Sequence, residues 1–366
     1  MPFSSAERPG IAKASSRGSA KRRRVSWDLL RVGAVLLVLV FHGTFLARRW
    51  HPELVARPFV FPYQLGASLL LVISGYFAAL SLRKGDVVRW WVGRMARMLP
   101  AFLVGVLGTS LFLRLCAPPG WYAPGLGDVL ANLAMLWNWK PQTYTYVDAA
   151  YWTIPLQLLW FTAILALWRS RRIHGDATVR ALWLVLGAEL FLLPIRLHLE
   201  SEAFRTLYDG FGLYRVHLFI AGIAVHLWAR RRVHGTHAAL LLGACVLIHW
   251  CQTRHMSWTV GLAVGIAVIC AAALGPDWDR VVPGWVGRAL EWAAGITYAV
   301  YLVHQSIGYV VMRRLQDHGV GALGQLAAMG AVAILLGWAL TALVERPAHR
   351  AIMRGFDHLR PARVSA

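Results

Sequence analysis

Two histidines sit deep inside apolar stretches of this chain, and each has neighbours that could put it to chemical use. The first is His42, in the run that follows Trp27-Asp28-Leu29-Leu30-Arg31. Eleven residues separate Arg31 from His42. On a helix that is three turns, about 16 Å of rise, with the two side chains within about 20° of one another. Asp28 falls on the same stripe, about 40° to the other side. An acid, a guanidinium and an imidazole thus share one face of an apolar helix. Ionisable groups in such a setting face a cavity or a partner, and imidazole suits general base catalysis at neutral pH. The second is His304 in Tyr298-Ala299-Val300-Tyr301-Leu302-Val303-His304, with tyrosines at i−3 and i−6 on nearly one face. His217, His226 and His249 lack such neighbours in the sequence, which favours packing or interface roles for them.

A third cluster is Arg94-Met95-Ala96-Arg97. Its two guanidinium groups share a helix face and suit a phosphate-bearing ligand. Anchoring to anionic lipid is the alternative use of the same pair. Glu345, in Glu345-Arg346-Pro347, is placed to pair with a basic residue at the same membrane border. Trp152 falls at the opposite border, where an interfacial anchor is the common role.

The elements that must position these residues are membrane helices. The chain has 366 residues, 58% hydrophobic, with a mean hydropathy of +0.51. Apolar stretches long enough to span a bilayer recur throughout. The expected fold is an all-α polytopic integral membrane bundle of about ten helices. They are placed at roughly 28–47, 60–82, 98–116, 151–168, 180–198, 212–229, 238–252, 257–274, 289–312 and 322–344. The hairpin between the seventh and eighth turns within a few residues. Residues 128–139, inside the long connection 117–150, read as a short amphipathic or re-entrant helix. The Ser74-Gly75 pair permits close helix packing or a kink.

The net charge of +21 is distributed as short basic clusters between apolar segments, which argues against a nucleic-acid surface. With the N-terminus inside, the inner segments hold 26 of the basic residues against 11 outside. This asymmetry places both termini in the cytoplasm. Residues 1–24 read as a disordered cytoplasmic tail, 25–350 as the membrane domain and 351–366 as a C-terminal tail. The first apolar run ends in Arg48-Arg49 and contains His42, so it reads as a retained anchor rather than a cleaved signal. The four cysteines have no paired spacing, and no metal-ligand, phosphate-loop or nucleophile-elbow motif is present.

These pieces together resemble membrane acyltransferase family 3. The pieces are Asp28-Leu-Leu-Arg31 with His42, Ile73-Ser-Gly-Tyr-Phe77, Arg94-x-x-Arg97, Trp152-Thr153, Tyr214–Gly222, Tyr298–His304 and Glu345-Arg-Pro347. They occur in the family's order across about residues 24–350. The resemblance implies a multi-pass enzyme of a bacterial-type cytoplasmic membrane. Its donor would be an acyl-CoA, most simply acetyl-CoA, with no metal. Its acceptor would be a hydroxyl of a carbohydrate, glycolipid or secreted metabolite. Partners would be the bilayer and possible further copies of the chain. In that scheme His42 is the base, Arg31 and Asp28 assist it, Arg94 and Arg97 meet the donor, and Trp152, Gln157, Tyr301, His304 and Glu345 line the substrate pocket. One position departs from the family: its fourth-helix signature resembles Trp-Ser/Thr-x-x-x-Glu, and here the acid is Gln157. Asp28, Asp148 and Glu189 are the candidate substitutes. A proton-coupled transporter and a non-catalytic relative are the rival readings.

Overall fold

In the computed structural model, residues 24–82, 86–170, 176–198 and 201–359 are described. The ends of both predicted tails, 1–23 and 360–366, lie outside them. Among the described residues every regular element is helical. The first apolar run forms α1 (Val25–Phe41), a five-residue π segment (His42–Leu46) and α2 (Ala47–Trp50). There follow α3 (Leu65–Leu82), α4 (Val87–Cys116), α5 (Leu126–Leu133), α6 (Thr153–Arg169), α7 (Asp176–His198) and α8 (Glu202–Gly210). The chain continues as α9 (Val216–Ala229), α10 (Gly235–Thr253), α11 (Met256–Leu274), α12 (Gly284–Ala294), α13 (Thr297–Val303) and α14 (Ser306–Asp317). It finishes with α15 (Ala322–Leu340), a second π segment (Thr341–Glu345) and α16 (Arg346–His358).

Eight of these helices are long and apolar enough to cross a membrane, nine if the bent pair Glu202–Gly210 and Leu213–Ala229 counts as one span. The chain is therefore an all-α multi-pass bundle. The span predicted at 289–312 is not continuous. It is divided into α12, α13 and α14, with breaks at Gly295-Ile296 and His304-Gln305. Hydropathy has no means of seeing these breaks, because the residues on both sides remain apolar. The helix predicted from 98 starts eleven residues earlier, at Val87, where Asp86 accepts from the N–H groups of Val88 and Arg89. Arg94 and Arg97 therefore share their helix face on the same continuous helix as the span.

The tightest crossing joins α3 to α9, and glycine makes it possible. A methyl group at Gly75 would run into the Phe219 carbonyl, and one at Gly222 into the Val72 carbonyl. Between helices in lipid, small residues at such points let the backbones approach, and van der Waals packing then holds them. The Ser-Gly pair serves packing here. The α10–α11 hairpin is two separate helices turning through Arg254 in the left-handed region, φ 56°.

The start of α1 is capped from a distant segment. The carboxylate of Asp277, in the connection after α11, accepts from the N–H of Val25 at 3.0 Å and of Ser26 at 2.9 Å. Burial pushes this carboxyl up, but the hydrogen bonds from Ser26, Val25 and Trp278 outweigh it and hold the group below the usual carboxylate range. A depressed pKa means the cap is fully formed above the unfolded-chain value of about 3.9 and fades as pH falls through the lower folded-state value. Asp277→Ala should cost about 1 kcal/mol of stability at neutral pH. Thermal unfolding in detergent should show that difference shrinking toward zero in acid.

Candidate active site

The bundle brings the two intramembrane histidines together. His304 Nε2 lies 2.7 Å from His42 Nδ1, and both rings are buried. His304 Nδ1 is 2.8 Å from the Tyr301 carbonyl oxygen. That oxygen can only accept, so Nδ1 of His304 carries a proton. In the neutral ring Nε2 of His304 is then an acceptor, and the proton between the rings belongs to Nδ1 of His42. Nε2 of His42 is left with a free lone pair. One fixed carbonyl thus sets the tautomer of both imidazoles.

Local backbone irregularities aim these side chains. His42 opens the π segment, whose extra residue turns the following side chains relative to α1. The Tyr309 hydroxyl donates to the His42 carbonyl at 3.3 Å. His304 sits in the break between α13 and α14. Asp148, buried, clamps that break: its carboxylate accepts from Ser306 N–H at 2.8 Å and from Ala150 N–H at 2.9 Å. It therefore caps α14 and the short 3₁₀ turn before α6 together. The Ser306 hydroxyl adds a bond to the Val147 carbonyl at 3.1 Å.

Two cavities lie near the histidine pair: the larger is lined by His42, and the smaller reaches Tyr301. One, about 160 Å³, is lined by Arg31, Arg94, Arg97, Thr153, Gln157 and Tyr301, among others. The other is a vestibule of about 710 Å³ whose wall includes His42, Arg49, Trp50, Trp152, Trp258 and Gln305. They stand back to back across Trp152-Thr153 on one side and Tyr301–Gln305 on the other. The Thr153 hydroxyl donates to the Tyr301 hydroxyl oxygen at 3.1 Å, closing the partition.

The predicted site residues sort into groups. His42, Tyr301 and His304 meet directly. Arg31, Arg94, Arg97 and Gln157 share the smaller cavity, and Trp152 lines the vestibule. Asp28 is buried and pairs with Arg31 at 3.6 Å. It lies fourteen residues before His42, about 21 Å along an ideal helix, so it acts on the guanidinium and not on the imidazole. Glu345, at the end of the second π segment, accepts from Arg97 Nε at 3.2 Å. Arg94 donates to the Phe77 carbonyl and the Ser81 hydroxyl, each at 2.7 Å. Arg94 thus also holds the end of α3. Gln157 accepts from the Ser74 hydroxyl at 2.8 Å and contacts neither histidine through its hydrogen bonds.

Sequence reasoning missed two features. Gln305 is wholly buried with neither amide atom partnered, on the vestibule wall. Its only signal was its place beside His304. Glu189 and His217 form a buried pair at 2.6 Å, extended by His249 at 3.2 Å from His217. A lone glutamate in an apolar run demands such a partner, which was the legible signal. None of these three lines either cavity.

A family profile described as an acyltransferase domain matches residues 24–342. The chain belongs to membrane acyltransferase family 3. Comparison with curated proteins and with solved structures returned no match. The matched region spans both cavities, the histidine pair and the Asp148 clamp, and ends three residues before Glu345.

Asp148→Ala leaves the buried Ala150 N–H and the half-buried Ser306 N–H without their acceptor and should cost about 1–3 kcal/mol. Unfolding in detergent measures that loss. Acyl transfer by the surviving folded fraction should fall as well, because the break that holds His304 is no longer pinned.

Proposed function

We propose that this chain is an O-acyltransferase that moves an acyl group from a cytoplasmic acyl-CoA, most simply acetyl-CoA, to a hydroxyl of a carbohydrate or glycolipid acceptor. The observation that carries the reading is the hydrogen-bonded chain from the Tyr301 carbonyl through His304 to His42. It leaves a proton-accepting nitrogen on a residue of the vestibule wall. In the reaction, His42 Nε2 takes the proton of the acceptor hydroxyl as its oxygen attacks the thioester carbonyl. The carbon–sulfur bond then breaks, and the leaving CoA sulfur takes up the proton that His42 holds, which returns the imidazole to its neutral form. His304 Nε2 accepts from the His42 Nδ1–H throughout and so supports the imidazolium while it exists.

Donor and acceptor enter from opposite ends in this scheme. Arg31, Arg94 and Arg97 supply positive charge at the smaller cavity, suited to a ligand rich in phosphate. The basic-residue asymmetry supports placing that end in the cytoplasm. The vestibule offers aromatic faces at Trp50, Tyr63, Trp152 and Trp258, with the amides of Gln64 and Gln305. Such a wall suits a sugar, whose C–H faces stack on aromatic rings while its hydroxyls meet amides. Since Gln157 bonds to Ser74 and not to a histidine, a carboxylate there is not required to orient the base. His304 and the Tyr301 carbonyl do that work.

His42→Ala should lower acyl transfer by about 10²–10⁴-fold, with expression and folding matched to wild type. His304→Ala should cost less, because Nε2 of His42 remains although its orientation is lost. Radiolabelled acetyl transfer from acetyl-CoA in membranes measures both. Equal, wild-type-like rates in both variants would sink the proposal. Gln157→Glu should leave the pH–rate profile unchanged.

A further inference from the structure

At the end of the bundle where α2 emerges lies a recess of about 340 Å³, apart from both cavities of the active site. One side is formed by residues 56–58 and the other by residues 321–324, the first turn of α15. Arg57 is only 7% exposed. One of its terminal nitrogens donates to Gln325 Oε1 at 2.7 Å, the other reaches Met312 Sδ at 3.7 Å, and its Nε has no partner. Among the described residues no carboxylate pairs with it. Gln325 is a neutral acceptor, already tied through its own amide nitrogen to the Val320 carbonyl at 2.7 Å. A buried charge with only neutral partners is costly, and buried charges are ordinarily paired.

The position makes the deficit worse. The guanidinium is held against the start of a 19-residue helix, whose N-cap, Gly321, supplies no side-chain acceptor. The N–H groups of that first turn have no intrahelical acceptor, and the helix dipole puts partial positive charge there. Burial first, and then the neighbouring Arg48, pull the Arg57 guanidinium below its ordinary value. A cation and a positive helix end thus meet at a small recess lined by no anion among the described residues, and a second cation, Arg48, is near enough to act on the first.

We infer that this recess is an anion-binding site, with Arg57 and the first turn of α15 taking a phosphate-type oxyanion. The same chemistry is offered by free phosphate in solution and by the phosphodiester of a lipid headgroup. The site is independent of acyl transfer.

The test uses the full chain in a neutral detergent, with the unfolding midpoint measured in chloride and in inorganic phosphate at matched ionic strength. A parallel arm compares vesicles of phosphatidylcholine alone with vesicles that also contain phosphatidylglycerol. Phosphate should raise the wild-type midpoint by several degrees, and Arg57→Gln should abolish the response. A rise confined to phosphatidylglycerol, and lost in Arg57→Gln, assigns the site to a lipid headgroup. The second variant is Gly321→Asp. The N-cap backbone is extended there (φ −66°, ψ 163°) and an added Cβ meets nothing within 4 Å. It supplies a built-in carboxylate at a position where aspartate is favoured. It should raise the anion-free midpoint and cancel the response to added anion. If Arg57→Gln does not fold, Gly321→Asp decides alone. An undiminished response in either variant, or no wild-type response to phosphate or to phosphatidylglycerol, overturns the inference.

Discussion

The hydrogen bond between His304 and His42 is the constraint around which the rest is arranged. It joins the first helix of the chain to a segment 262 residues later, and it does so where neither helix is regular. An unbroken α-helix at His304 would leave its imidazole in the i−3, i−4 stack with Tyr301 and Val300. A regular helix at His42 would keep every later side chain of that span in the α1 register. The break on one side and the π segment on the other release both rings. Irregular backbone inside a membrane bundle is tolerable only where its polar groups find partners within the protein. Asp148 meets that condition for the break, and the Tyr309 hydroxyl adds a donor at the π segment.

The same requirement explains how the other buried charges are held. Glu345 faces Arg97, Asp28 faces Arg31, and Glu189 faces His217. Each of these three acids has a basic partner on the same helix or a neighbouring one, whereas Asp148 is held by backbone N–H groups. Removing either member of a buried pair leaves the other stranded, which costs more than the pair contributes. Arg57 departs from the pattern, since a neutral amide and a thioether surround it.

Much of the fold could be read from hydropathy, because length and apolarity alone define a span. The spans at α1, α3, α6, α7, α10, α11 and α15 were all placed by that criterion. It failed at 289–312, where apolar residues on both sides hide two breaks, and at the start of α4, where Trp90 and Trp91 lie among basic residues that lower the window average. The site was half legible. His42, His304 and Tyr301 stood out as polar groups in apolar runs, and the structure joins them. Their mutual hydrogen bonds were not legible, since they depend on how α1 and α13 cross. The stripe of Asp28, Arg31 and His42 suggested one site. Helical rise separates it into two functions, an ion pair at one end and an imidazole about 16 Å beyond Arg31.

That separation bears on how a membrane acyltransferase can work from two aqueous sides. A single large channel through the bundle would leak, and a wholly closed one would admit neither substrate. Here the partition is thin and polar: the Thr153–Tyr301 hydroxyl pair on one face and the histidine pair beside it. It is built from side chains rather than from whole helices. Tyr301 lines the smaller cavity and Trp152 the vestibule, so side chains and not helices stand between the two. The helices around them stay fixed by the glycine crossing of α3 and α9 and by the Asp277 and Asp148 caps.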